Sequence, residues 1–269
     1  MILADDQRDA VIALARKAAV EILAVYESEF AIEHKDDRSP LTAADLASHR
    51  CILAGLQALT PHIPVLSEES KDLDIAARRE WTTFWLVDPL DGTREFIKRN
   101  GEFTVNIALV VDGVATWGVI QQPVTGALWH GGAGLGAFIR ILEQDGRDAG
   151  DVAIHARTPA AAPLRIAASR SHRDARTQAL LDALPGSEVV GCGSSLKFCR
   201  IADGGIDLYP RFGPTSEWDT AAGQAILEGA GGAVLAPDGR PFRYNQRATL
   251  LNGDFLALGD MALRDLLPA

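Results

Sequence analysis

The run Trp85-Leu86-Val87-Asp88-Pro89-Leu90-Asp91-Gly92-Thr93 constrains this chain most: an apolar stretch beginning at Phe84 gives way at once to two carboxylates, a proline and a glycine. A short continuous apolar run, unlike an alternating one, is what a strand covered on both faces shows, and it points to a layered α/β fold. Ligands in such sheets gather beyond the carboxyl ends of the strands, so Asp88 and Asp91 stand where substrates bind. Pro89 fixes one φ angle and lacks an N–H, which stiffens the turn and lets the Leu90 carbonyl face a cation. Gly92 and Thr93 then open a helix whose free N–H groups and positive dipole end suit an anion such as phosphate. The plainer alternative is an Asp-Pro turn with an Asp helix cap, which needs no ligand.

A chain of 269 residues with 47% hydrophobic content can bury a large core, as one large domain or two smaller ones. No stretch approaches the roughly 18 uninterrupted apolar residues of a membrane span. The N-terminus turns acidic at Asp5-Asp6 before a signal-peptide core could form, so the cytoplasm is the expected compartment, with a peripheral association at the inner membrane left open. Cys51, Cys192 and Cys199 form no CxxC pair and read as reduced, mostly packing thiols. A formal net charge of −10 argues against nucleic-acid polymers and anionic membranes as nonspecific partners. Local clusters such as Lys98-Arg99 can still hold phosphates, and the acid excess suits cations.

Val11, Leu14, Ala18, Ile22 and Val25 give one apolar face to a long first helix. Thr42-Ala43-Ala44-Asp45 has capping-box form and opens a helix running to about Leu59, where Thr60-Pro61 stops it. Ile63 to Leu66 reads as a strand that delivers Ser67-Glu68-Glu69-Ser70 into a loop. Beyond Thr93 the pattern is an antiparallel meander: Phe103 to Val111, Val114 to Gln121 and Ala127 to His130, with turns at Asp112-Gly113 and Thr125-Gly126. A softer segment from Gln144 to Ala162 reads as a connection between an N-terminal α+β lobe, residues 1–162, and a C-terminal α/β lobe, residues 163–269. In the second lobe strands are expected at Leu164–Ala168, around Val189 and at Ile206–Tyr209. Helices are expected at Asp174–Leu184, at Ser195–Ala202 and from Asp219, read as the cap, to Glu228.

Glu68 and Glu69 beside Asp88 and Asp91 would repel one another strongly without cations, and magnesium, which takes oxygen ligands and keeps several waters, resolves the conflict. A solvated acidic loop is the alternative for Glu68-Glu69, and a simple helix cap for Asp219. Asp45 and Thr93 carry the same ambiguity. Both suit caps, yet a Thr hydroxyl bonded to a carboxylate can also orient a water and take its proton, a step worth roughly 100- to 10,000-fold in rate. Gly132-Ala133-Gly134-Leu135-Gly136-Ala137 fits a dinucleotide loop, but the segment before Asp145-Gly146 is too short for a crossover helix and a hairpin explains the glycines more simply. No P-loop or nucleophile elbow is present, and the histidines, His172 among them, show no metal-ligand spacing.

Taken together, Ser67-Glu68-Glu69, Asp88-Pro89-Leu90-Asp91-Gly92-Thr93 and Trp218-Asp219-Thr220-Ala221-Ala222-Gly223 resemble the inositol monophosphatase superfamily of magnesium-dependent, lithium-sensitive phosphatases. Arg94 to Ile107, Gly193-Ser194-Ser195-Leu196-Lys197-Phe198-Cys199 and Leu208 to Thr215 are similar to its bacterial 3'(2'),5'-bisphosphate nucleotidase branch. The resemblance implies an αβαβα sandwich and metal ligation by Glu68, Asp88, the Leu90 carbonyl, Asp91 and Asp219. It implies two or three magnesium ions, inhibition by lithium, and a water positioned by Thr93 and Asp45 with Glu68 assisting. Substrate would then meet Asp91, Gly92, Thr93 and Asp219. Ser194, Lys197 and Arg211, with His172, would hold the nucleotide and its second phosphate. The implied reaction removes the 3'-phosphate of adenosine 3',5'-bisphosphate to leave AMP, and also accepts the sulfated precursor, in sulfur assimilation. An inositol or sugar monophosphatase would share every metal ligand, and a non-catalytic nucleotide sensor would share the binding groups. Both monomer and homodimer remain open.

Overall fold

The computed structural model describes residues 3–29, 31–34, 40–70, 77–142, 149–168 and 174–266. Helix α1 (Asp5–Tyr26) buries Val11, Ala15, Ala18 and Ile22 along one face, as the apolar spacing requires. A short antiparallel ladder of β1 (Ile32–His34) and β2 (Pro40–Thr42) leads into α2 (Ala43–Leu59), which lies against α1. Next, β3 (Val65–Ser67) runs parallel to β4 (Thr83–Asp91), whose residues from Phe84 to Leu90 are all buried. After the five-residue helix α3 (Thr93–Ile97) comes the expected meander, β5 (Thr104–Val111), β6 (Val114–Gln121) and β7 (Leu128–Gly132), extended by β8 (Gly136–Arg140) and β9 (Val152–Ile154). The seven strands form one sheet in the order β3-β4-β5-β6-β7-β8-β9.

The second half alternates. It comprises β10 (Arg165–Ala167), α4 (Ala175–Ala183), β11 (Glu188–Val190), α5 (Leu196–Ala202), β12 (Leu208–Arg211), α6 (Glu217–Gly229), β13 (Ala233–Leu235) and β14 (Phe255–Leu258). Its five-stranded sheet has the order β11-β10-β12-β14-β13 and is mixed, with β10 parallel to both neighbours and β14 antiparallel to its own.

Alternation of side chains across β4 and β5 separates two cores. Trp85, Val87, Ile107 and Leu109 pack with α1 and α2, while Phe84, Leu86, Ala108 and Val110 pack with α5 and α6. The α5–α6 layer also meets Ala167, Tyr209 and Phe255 of the smaller sheet. The far face of that sheet, with Ile166, Leu208 and Leu258, is covered by Leu180 and Leu181 of α4 and Leu263 of a terminal 3-10 helix. The result is the expected αβαβα sandwich. Gly118 of β6 shows how closely the layers meet, because a Cβ there would lie 2.7 Å from the Ala222 backbone of α6.

The GxGxxA stretch is the tight connection of the β7–β8 hairpin, with Gly132 paired to Gly136. The soft segment is not wholly a connection: β9 lies inside it and joins the large sheet through Ala137 to Ile139 of β8. Three-residue β9 and β13 and four-residue β14 are too short to announce themselves by pattern, and partners supply their pairing. The expected lobe boundary between residues 162 and 163 falls in the connection from β9 to β10. Among the described residues no helix is long and apolar enough to cross a membrane.

Candidate active site

The ladder between β4 and β5 is regular up to Asp88, opposite Asn106, and then shifts register before Asp91 meets Thr104. A bulge of this kind re-aims side chains at a sheet edge. The Leu90 N–H donates to Asp88 Oδ1 at 3.0 Å. Glu68 follows β3 and its N–H donates to the Val87 carbonyl at 3.1 Å, which seats it alongside the same strand. Asp219 arrives from the opposite side, in the first turn of α6. It is not the cap. Ser216 is the N-cap, and Asp219, three residues in, accepts the Ser216 N–H at 2.9 Å, because Ser216-Glu217-Trp218-Asp219 forms a capping box. Behind this turn Asn252 Nδ2 donates to the Ser216 carbonyl at 2.7 Å, and the Asn245 N–H donates to the Glu217 carboxylate.

Burial, then the neighbouring Glu68, Asp91 and Asp219 charges, push the Asp88 carboxyl well above the usual carboxylate range. Asp91 is pushed up to about 6, chiefly by burial, against the opposing pull of Lys197 and of the Ser195 N–H, which donates to Asp91 Oδ2 at 2.5 Å. Asp219 is pushed up to about 8 by burial first, then by Asp91 and Glu68, with the Ser216 N–H and Arg211 pulling the other way. Four acids thus share one field. Among the described residues, no three carboxylate, imidazole or thiolate groups converge closely enough to form a ready-made metal cage. The donor chemistry nevertheless fits a hard divalent cation: only oxygens are offered, and a backbone N–H anchors one oxygen each of Asp88, Asp91 and Asp219. The mutual repulsion of Glu68, Asp88, Asp91 and Asp219 is what such a cation relieves.

Asp45 does two things at once. Its Oδ2 accepts the Thr42 N–H at 2.8 Å and the Thr42 hydroxyl at 2.6 Å, completing the expected capping box, while its Oδ1 accepts the Thr93 hydroxyl at 3.3 Å. Thr93 is not a cap, because Gly92, at φ +93°, occupies that position of α3. Left-handed backbone at Gly92, with the Glu102 carbonyl 3.2 Å from where a Cβ would stand, explains the glycine. With only five residues, α3 offers its own N–H groups but little of the dipole the sequence suggested.

A cleft of about 630 Å³ opens between these acids and the smaller sheet, lined by Asp91, Gly92, Ser194, Lys197, Arg211 and Asp219 among others. Lys197 Nζ donates to the Ser194 carbonyl at 3.0 Å and lies 5.3 Å from the Tyr209 ring centre. The Arg211 guanidinium donates to the Gly213 carbonyl at 3.3 Å and the Pro214 carbonyl at 2.9 Å. Ser194 sits at φ +44° with a buried hydroxyl that has no protein partner. His172 lies outside the described residues. Sequence reasoning missed Ser48 and His49 of α2 as well as Ser195, Asn106 and Glu102, which bond to the segments carrying the acids or line the cleft. The signal for the first two was their spacing from Asp45; the others are joined only by folding.

The model of the inositol monophosphatase family matches residues 4–262. A 3'(2'),5'-bisphosphate nucleotidase CysQ of Escherichia coli O6:H1 is 44% identical over 255 residues, covering 92% of this chain and 97% of that protein. The CysQ nucleotidase of Buchnera aphidicola is 40% identical, over 93% of this chain and 92% of its own. Among solved structures, CysQ from Bacteroides thetaiotaomicron superposes with a TM-score of 0.80 at 42% identity, covering 94% of this chain and 97% of that one. An inositol monophosphatase from Zymomonas mobilis superposes with a TM-score of 0.75 at 28% identity, covering 97% and 95%.

Proposed function

This chain belongs to the inositol monophosphatase family, and on that premise we propose that it is a magnesium-dependent phosphatase removing the 3'-phosphate of adenosine 3',5'-bisphosphate to leave AMP. The sulfated precursor of that nucleotide is a further substrate, which places the activity in sulfur assimilation. What carries the reading is the union in one cleft of two half-buried acids, Asp91 and Asp219, with two cationic side chains, Lys197 and Arg211, whose charges act on Asp91 and Asp219 respectively. A simple sugar phosphate needs the acids and their metal; a second phosphate needs the cations as well.

In this reading Glu68, Asp88, the Leu90 carbonyl, Asp91 and Asp219 hold magnesium, between an N-terminal metal-binding lobe and a C-terminal substrate lobe. When bound, magnesium supplies Lewis-acid charge to the phosphoryl oxygens and to the departing 3'-oxygen. Thr93 orients the attacking water through its hydroxyl, and Asp45, hydrogen-bonded to that hydroxyl, takes up the proton, with Glu68 assisting. Gly92 and Thr93 present backbone N–H groups to the phosphate being transferred. Lys197, Arg211 and Ser194, whose buried hydroxyl lacks a partner, hold the rest of the nucleotide.

Phosphate release from adenosine 3',5'-bisphosphate and from inositol 1-phosphate, measured side by side with magnesium, tests this. The nucleotide is expected to lead by at least an order of magnitude in kcat/KM, a difference of about 1.4 kcal/mol. Preference for the inositol phosphate overturns the substrate and leaves the reaction class. Binding of both without turnover in a single-turnover assay overturns the class. Millimolar lithium is expected to inhibit.

A further inference from the structure

Helix α2 reaches the site with more than Asp45. Asp45, Ser48 and His49 stand at i, i+3 and i+4, the spacing that places side chains on one helix face. Each meets a different segment of the acidic site. Asp45 Oδ1 accepts the Thr93 hydroxyl at 3.3 Å, the Ser48 hydroxyl donates to the Pro89 carbonyl at 2.7 Å, and His49 Nδ1 shares a hydrogen bond of 2.9 Å with Ser67 Oγ. Ser67 immediately precedes Glu68, and Pro89 lies between Asp88 and Leu90. A serine inside a helix ordinarily turns its hydroxyl onto a carbonyl one turn back. Ser48 instead crosses to a residue 41 positions away, in a location with no solvent exposure.

Water therefore offers neither Ser48 nor the Pro89 carbonyl a replacement partner, and a buried group left unpaired is costly. Pro89, having no N–H, can be fixed by a hydrogen bond only through that carbonyl. Within the bulge of β4, tying the Pro89 carbonyl to α2 fixes the plane of the Pro89–Leu90 peptide and so the backbone from which the Leu90 carbonyl projects. Its oxygen lies 3.5 Å from Thr93 Oγ1, on the side of the Asp45–Thr93 pair.

We propose that Ser48 is a positioning residue for the metal site, its hydroxyl setting the Pro89–Leu90 peptide so that the Leu90 carbonyl serves as a ligand, while His49 seats the Ser67–Glu68 segment from the same helix face. This rests on the magnesium reading above. The polar first half of α2 is then the template on which the strand ends of β3 and β4 are registered, and its apolar second half, Ile52 and Leu56, docks that template on the core. Partners that orient metal ligands from outside matter to affinity by roughly 10- to 100-fold.

The test is magnesium titration by calorimetry on the parent, Ser48→Ala, Ser48→Thr and His49→Leu, with metal-free melting curves and kcat at saturating magnesium measured alongside. Ser48→Ala and His49→Leu are each expected to weaken magnesium binding about 10-fold or more, with a smaller loss in kcat once the metal saturates. Ser48→Thr keeps the hydroxyl and is expected to restore affinity. A purely structural role would lower the metal-free midpoint and leave magnesium affinity at the parent value, and that result in either folded variant overturns the proposal. Should Ser48→Ala not fold, His49→Leu, at a half-buried position, carries the decision. A parent that binds no magnesium overturns the metal reading itself, and this proposal with it.

Discussion

Replacing Thr93 by alanine removes one hydroxyl from N1 of α3 and leaves Gly92 as its cap. Two contacts are lost: the hydrogen bond to Asp45 Oδ1 at 3.3 Å and the weaker approach to the Leu90 carbonyl at 3.5 Å. A hydrogen bond to a charged acceptor contributes about 1.5–3 kcal/mol at good geometry, and this one is long, so a stability cost of about 1 kcal/mol is expected. If the hydroxyl also orients water, its removal costs roughly 100-fold or more in kcat. That is about 2.7 kcal/mol of barrier, well beyond what the folded state loses. Asp45→Asn separates the roles differently. The new side-chain oxygen can still accept the Thr42 N–H, so part of the capping box survives and about 1 kcal/mol of stability is at stake. The amide then faces Thr93 as a donor and can take no proton, so turnover should fall as steeply as in Thr93→Ala. The double variant should be little worse than either single, as for groups that act as one unit. Turnover, magnesium affinity and thermal midpoint on the parent, both singles and the double supply the measurements. Lowered midpoints with unchanged turnover refute the mechanism, and fully additive rate losses refute the pairing.

Asp91 and Asp219 are raised from 3.8 to about 6 and about 8 in the folded protein, so their favourable contribution is fully present below the unfolded value and is lost as pH rises through the folded values. Metal-free protein should therefore lose stability between about pH 4 and 8 through these groups, while the magnesium-induced rise in melting temperature grows over the same interval because ligands must be deprotonated. A magnesium shift indifferent to pH would contradict the assigned cluster. Arg211→Ala should raise KM for the bisphosphate nucleotide about 10-fold or more, the worth of a charge-assisted hydrogen bond, and change KM for a monophosphate substrate far less; equal effects on both would remove Arg211 from the second phosphate. Gly118→Ala should lower stability by about 1–3 kcal/mol, because the added methyl meets Ala222 backbone at 2.7 Å and α6 must shift; an unchanged melting temperature would show that the helix moves freely on the sheet.

Local chemistry fixed those parts of this protein that one segment can specify alone. The apolar run into Asp88 announces a covered strand with ligand groups at its end, because burial on both faces admits no polar position before Asp88. Thr42-Ala43-Ala44-Asp45 announces a helix start, and the structure forms that box with both bonds in place. Alternation and turn residues mark the meander from β5 to β7. The family motifs in order carry the sandwich, which no single pattern specifies. What the sequence could not show is which groups meet. Asp219 reads as a cap until the geometry assigns that role to Ser216, since both residues suit a helix start and only backbone angles distinguish them. Strands β9, β13 and β14 are too short to carry a period, and exist because neighbouring strands offer unsatisfied N–H and carbonyl groups. Ser48 and His49 look like unremarkable helix residues until α2 is laid against β3 and β4. The raised pKa values of Asp88, Asp91 and Asp219 likewise belong to no segment: they arise when carboxylates from β4 and α6 are desolvated side by side, and that desolvation is a property of the assembled layers alone.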